Sequence, residues 1–455
     1  MLLVVPLFLA FLGFITPGAS SSIDQSERDT LFSVMYSMSS DKDWRAYSPD
    51  PCDEGSSWPG LECKPGPDDH LHVTKLVFGT PPNPTCSRSS SFPAEIFQLP
   101  FLQSVHFLNC FKWKKTALSF PPHSQNFALQ QLSLRANPAL FGTIPPQVSS
   151  LRSLQVLTLS QNRLYGKIPE SISSLTSMIH LDLSYNSLTG RIPAQMGSLS
   201  SLVHLDLSYN SLFGTIPPSI GQMGMLQKLD LSSNSLIGSI PQSIESLKWL
   251  TFLALSNNRL SGYPHPASGL TNLQSLQYLI MESNPIYAPL PPELGTLPKL
   301  QELRLANSSY SGAIPESFSG LKNLTTLSLE NNRLSGAIPP GLGRLGSIYH
   351  LNLSRNMLDG VVPFSSVFIM RLGRNLDLSG NPKLCLSESD SFKGVEDISV
   401  PICASATSSS SSSPLMQRQP LQSSLSSSSS LESGVPYWQF SSMTFIVLHH
   451  FLRLL

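Results

Sequence analysis

The chain has 455 residues, with 29 lysines plus arginines balancing 29 aspartates plus glutamates, and 40% hydrophobic residues. A formal net charge of zero supplies no field to draw nucleic acid or another polyanion. No kinase motif, no cofactor fingerprint and no C-x-x-C metal spacing occurs, so neither a cofactor nor a bound metal is expected. Residues 1–21 read as a secretory signal peptide: an apolar run, then Thr16-Pro17-Gly18-Ala19-Ser20-Ser21, small enough for cleavage. No Lys or Arg precedes the apolar run, but Pro6 and Gly13 argue against an internal helix. Residues 24–39 follow with Leu31, Val34, Met35 and Met38 on one helical stripe, and Ser26-x-x-Asp29 reads as the cap. Trp44, Cys52, Trp58 and Cys63 complete a segment assigned to an N-terminal cap over residues 22–72.

Residues 73–384 are dominated by one unit, L-x-x-L-x-L-x-x-N-x-L-x-G-x-I-P, in about eleven regular coils after two irregular ones. Its asparagine falls at Asn137, Asn162, Asn186, Asn210, Asn234, Asn258, Asn284, Asn332, Asn356 and Asn381, with Ser308 filling one slot. In the coil around Asn162, Leu157 and Leu159 alternate with Val156, Thr158 and Ser160, predicting a short strand with leucines inward and the others outward. The Asn162 amide is expected to bond the backbone of the turn, stacked copies forming an internal ladder that satisfies each buried amide. Leu164 and Ile168 turn back into the core, Gly166 allows a tight backbone position and Pro169 ends the run. A single coil cannot bury its apolar face; stacked coils can, with neighbouring parallel strands about 4.8 Å apart.

These residues identify a leucine-rich-repeat solenoid of α/β class. The recurrent G-x-[I/V]-P at Gly142, Gly166, Gly190, Gly214, Gly238, Gly312, Gly336 and Gly360 resembles the plant-specific repeats. That resemblance implies a superhelix with a parallel sheet on its concave face. Residues 44–63 resemble the disulfide-stapled N-terminal cap of plant leucine-rich-repeat receptors. Six cysteines allow fifteen pairings, and their clustering favours Cys52–Cys63, Cys86–Cys110 and Cys385–Cys403, which would staple both ends. Residues 385–404 are then the C-terminal cap. Residues 405–434 are a Ser-rich stalk, too polar for a core. Residues 435–455 form a hydrophobic C-terminal anchor signal. Small residues near Ser428, a spacer and a terminal apolar tail fit a GPI anchor; His449, His450 and Arg453 make a single transmembrane span the weaker alternative.

Outward strand positions should align in columns: His180, His204, Lys228, Phe252, Tyr278, Glu302, Thr326 and His350 in one, and Thr158, Asp182, Asp206, Asp230, Ala254, Ile280, Arg304, Ser328 and Asn352 in the next. His180, Asp182 and Ser184 share a strand, and His204, Asp206 and Ser208 repeat them. L-D-L-S-x-N is ordinary for this repeat and offers no enclosed pocket or oxyanion donor, so the set is read as non-catalytic and the chain as not an enzyme. Stacked Asp182, Asp206 and Asp230 would repel unless His180, His204 and Lys228 compensate. Histidines titrating near the usual value of about 6.5 would make partner binding pH-dependent. Candidate partner contacts are His180, Tyr185, His204, Tyr209, Phe252, Tyr278 and Ile280, since exposed aromatic and apolar side chains anchor interfaces. The apolar patch borders Gly262-Tyr263-Pro264-His265-Pro266, where the repeat lengthens. Sequons at Asn307, Asn323 and Asn352 mark glycosylation candidates.

Residues 72–79, the Cys86/Cys110 pair, the break near Pro264 and the closing run from Arg374 to Cys385 together resemble the Too Many Mouths type of plant leucine-rich-repeat receptor-like proteins. The resemblance implies a kinase-less receptor-like protein on the extracellular face of the plasma membrane. Its implied partners are a receptor-kinase ectodomain and a secreted peptide. An extracellular inhibitor of wall-degrading enzymes is the alternative from the same repeat class. The ligand and the kinase are not legible in the residues.

Overall fold

The computed structural model describes residues 22–39, 42–53, 58–68, 70–121, 127–263, 267–387 and 400–403, all within one compact unit spanning residues 1–403. The expected signal peptide, stalk and anchor signal, residues 264–266 and most of the C-terminal cap lie outside the described residues.

The solenoid starts with helix α1 (Gln25–Met38), whose stripe Leu31, Val34, Met35 and Met38 is fully buried. Its cap is Asp24 rather than Ser26: Asp24 Oδ1 accepts the N–H groups of Ser26 at 2.9 Å and Glu27 at 3.1 Å. The carboxylate two residues earlier satisfies two orphan donors, which leaves Ser26 inside the helix. A short helix α2 (Trp44–Tyr47) packs Trp44 edge-on against Trp58. An antiparallel hairpin, β1 (Leu61–Pro65) and β2 (Leu71–Phe78), covers the end of the core. Cys52 is bonded to Cys63, Cys86 to Cys110 and Cys385 to Cys403.

From β2 onward the strands run parallel, giving a fourteen-stranded concave sheet that ends at Leu376–Asp377. At about 4.8 Å per step it extends on the order of 60 Å. Each regular strand is three residues long, as in Val156–Thr158 and His180–Asp182. Ser160 was expected outward, but the strand has ended before it and the chain has turned: Ser160, Ser184 and Ser208 are buried. The residue just before each ladder asparagine sits in the left-handed region, including Gln161, Tyr185, Tyr209 and Ser233. That reversal carries the chain off the strand.

The asparagines form the internal ladder. Asn186 Nδ2 donates to the Leu159 carbonyl of the preceding coil at 2.8 Å and to Leu183 at 3.1 Å, while its Oδ1 accepts the Leu164 N–H at 3.0 Å. Asn210, Asn234 and Asn258 repeat this pattern. Ser308 fills its slot with a shorter reach: its hydroxyl bonds the Ala306 carbonyl at 2.8 Å and meets the Met281 carbonyl and Asn284 N–H of the preceding coil at 3.3 Å, while Asn332 Oδ1 accepts both the Ser308 and Tyr310 N–H groups.

After the ladder, the L-x-G segments form strands of their own on the flank, a feature absent from the sequence reading. Six of them, from Phe141–Gly142 to Arg259–Gly262, make one sheet, and four, from Ser311–Gly312 to Lys383–Cys385, make another. Gly190, at φ 88°, sits where a Cβ would come within 2.9 Å of the Lys167 side chain. The gap between the two flank sheets falls at the lengthened repeat. There Pro285 follows Asn284 and lacks the N–H that Arg163 and Arg333 donate to the preceding coil at equivalent places. Each regular coil then closes through a 3₁₀ helix started by proline, such as Glu170–Ser174 after Pro169.

Candidate partner-binding surface

The concave sheet places the predicted columns in register. His180 pairs with His204, His204 with Lys228, Lys228 with Phe252, Phe252 with Tyr278, and Tyr278 with Glu302. Asp182, Asp206, Asp230, Ala254, Ile280 and Arg304 align beside them. His180, His204, Phe252, Tyr278 and Ile280 are half-buried on this face, each open on its outer side.

The charged half is partly neutralised internally. Lys228 Nζ lies 3.0 Å from Asp206 Oδ2 and 5.5 Å from the centre of the Phe252 ring, joining the acidic and aromatic zones. Asp182 Oδ1 accepts the backbone N–H and the hydroxyl of Ser184 at 3.0 and 2.6 Å, and Asp206 does the same for Ser208 at 3.1 and 2.7 Å. The serines of the His-Asp-Ser strands therefore bond the adjacent aspartates and turn the chain. His180 Nδ1 faces His204 Nδ1 at 3.3 Å, a contact that needs one ring nitrogen unprotonated.

The expectation that these histidines titrate near 6.5 fails. Burial pushes His180 down, and burial followed by the neighbouring His180 pushes His204 down to about 4. The His204 ring is therefore neutral across the mildly acidic range. Asp230 moves the other way, to about 6, because burial and the Asp206 carboxylate disfavour its charge. Burial opposes the Lys228 charge, but Asp206 and Asp230 outweigh it and raise that pKa.

Tyr185 and Tyr209 stack with ring centres 4.1 Å apart at 10° and stay 40% and 48% exposed. Their left-handed backbone, φ 53° and 52°, aims both rings off the strand exits. Phe252 and Tyr278 make a second aromatic pair, 5.9 Å apart. The sequence reading missed a further charged group, where Glu282 and Glu330 replace the usual turn serine near the Arg304–Glu302 ion pair. The exception to L-x-L-S-x-N in those two coils was the available signal. The reading also missed Tyr310, wholly buried in a leucine slot, whose hydroxyl lies 3.0 Å from that of Tyr263. Of the sequons, Asn307 and Asn323 are exposed. Asn352 is half-buried on the concave sheet, its Oδ1 bonded to the N–H and hydroxyl of Ser354.

Leucine rich repeat family profiles match residues 152–212, 225–247 and 298–358. Receptor like protein 29 of Arabidopsis thaliana is 60% identical over 162 residues, covering 35% of this chain and 34% of that protein. The chain carries leucine-rich repeats and over about a third of its length is similar to a plant receptor-like protein. Protein TOO MANY MOUTHS of Arabidopsis thaliana is 34% identical over 149 residues, covering 32% of this chain and 29% of that protein. The matched stretches thus span about a third of the length of these relatives. Among solved structures, PEPR1 with AtPEP1 superposes with a TM-score of 0.64 at 32% identity, over 80% of this chain and 49% of that one. The plant peptide hormone receptor RGFR1 in complex with RGF2 superposes at 0.54 and 32% identity, over 65% of this chain and 50% of that one.

Proposed function

We propose that this receptor-like chain binds a secreted peptide on its concave face and acts with a receptor kinase at the outer surface of the plant plasma membrane. The observation that carries the reading is the single register of the face. A charged strip bridged by Lys228 and a Phe252–Tyr278–Ile280 patch lie on successive strands about 4.8 Å apart, with the stacked tyrosine pair at the exits of two of the charged strands. An extended peptide laid across those strands could meet apolar anchors and paired charges in turn, the arrangement that gives interfaces their few dominant contacts. Two solved neighbours support it, one of them a peptide hormone receptor with its ligand bound. The same reading keeps His180 and His204 as polar contacts, with the His204 ring neutral.

The test uses the full chain, produced in plant cells with its disulfides intact. Its binding is measured against purified receptor-kinase ectodomains, with and without their peptides. Specific association strengthened by peptide supports the reading. Silence across a validated panel rejects it and makes wall-degrading enzymes the next panel, as the inhibitor alternative requires.

A further inference from the structure

The flank sheet between Phe141–Gly142 and Arg259–Gly262 has no role in the concave site. The middle residue of its L-x-G segments points outward. Tyr165, Phe213 and Ile237 occupy that position and are 50%, 49% and 48% exposed. Thr189 stands between Tyr165 and Phe213, and half-buried Phe141 precedes them. A large apolar side chain left half in water is ordinary singly; several on consecutive strands form a patch.

Around this patch stand four exposed cations, Arg163, Lys167, Arg191 and Arg259. None of the four makes an ion pair among the described residues. The flank segments carry no carboxylate at all. Within residues 141–263 the acids are Asp182, Asp206 and Asp230 on concave strands and Glu170 and Glu245 on the 3₁₀ helices that follow flank strands. Within this region three of the five acids lie on the concave face and none on the flank strands, while four unpaired cations surround the apolar flank. All three sequons, at Asn307, Asn323 and Asn352, lie beyond this region in the sequence, and none falls within residues 130–263.

We propose that this flank sheet docks a second protein, whose surface presents apolar side chains bordered by carboxylates. Charge complementarity selects the acidic border, because four unpaired cations on one face attract it and resist a basic one. The apolar centre selects protein over an acidic polysaccharide: the aliphatic Ile237 supplies neither ring stacking nor anion contact, and only a dry apolar surface makes use of it. The interface does not depend on a peptide in the concave face. It ends at Gly262, where Pro285 interrupts the flank sheet.

The test is site-specific photo-crosslinking of the full chain in plant cells, with benzoylphenylalanine in place of Phe213, and in place of Gln195 on the 3₁₀ helix Ala194–Ser198, outside the flank sheet, as the control. The expected result is a light-dependent protein adduct at position 213 and not at 195, joined through a partner peptide with Asp or Glu beside apolar residues. Combining Arg163→Glu, Lys167→Glu and Arg191→Glu should then reduce the adduct on the order of tenfold, with secretion and Tm matching the wild type. Tyr209→Ala should leave it unchanged, so this surface and the concave reading can fail separately. No adduct above the control, an adduct that survives charge reversal, one removed by polygalacturonase, or one formed only with a second copy of this chain would each overturn the proposal.

Discussion

Single side chains decide how the concave face responds to pH. His204 falls to about 4 from its ordinary 6.5, so between those values the unfolded chain holds a proton that the folded chain does not. Its contribution to stability is full above 6.5 and is lost as pH falls toward 4. Asp230 rises to about 6 from 3.8, so the folded chain holds the extra proton, and that contribution is lost as pH climbs through the same range. The two slopes oppose each other. Asp230→Asn should steepen the rise of Tm with pH between about 4 and 6.5, and His204→Gln should flatten it. Calorimetry at several pH values reads both, and parallel shifts of the whole curve would contradict this assignment. If ligand binding changes near pH 6, Asp230→Asn should flatten it while His204→Gln should not.

Within an element, the ladder asparagine and the tyrosine lock make different demands. Replacing Asn258 by Ala removes the acceptor of the Leu236 N–H and the donor to Leu231 and Leu255 carbonyls, leaving buried backbone groups unpaired. A loss of roughly 2 kcal/mol is expected in chemical denaturation. Tyr310→Phe strands the Tyr263 hydroxyl and should cost about 1 kcal/mol, whereas Tyr263→Phe with Tyr310→Phe removes both partners and should be nearly neutral. A double-mutant cycle with no coupling would show that the hydroxyl contact contributes nothing. The strand leucines and the ladder were legible because each position recurs at a fixed step and has one structural use. Burial of Ser160, Ser184 and Ser208 was not, because alternation says nothing about where a three-residue strand stops.

Across the whole solenoid, each coil touches mainly its neighbours, so binding and stability should separate. Tyr209→Ala or Tyr278→Ala, both on the open face, should weaken a concave ligand by about tenfold or more while Tm stays close to the wild type. Equal loss of stability would assign these rings to the core instead. The capped ends are the exception to this independence. Opening the Cys52–Cys63 loop in a Cys52→Ser, Cys63→Ser variant should destabilise the first coils by roughly 2–3 kcal/mol, seen as early exchange of α1 amides.

The sequence by itself determined the coil, its core, the ladder and the columns of the concave face, since a 24-residue period fixes which side chains recur on which side. Tertiary structure decided the rest, because those properties arise only between coils. The flank sheets exist through pairing of neighbouring L-x-G segments, and they break where Pro285 lacks a donor. His204 and Asp230 take opposite pKa shifts because burial acts on both while their charged neighbours differ. The gathering of unpaired cations around the apolar flank of a neutral chain likewise appears only once the strands are stacked.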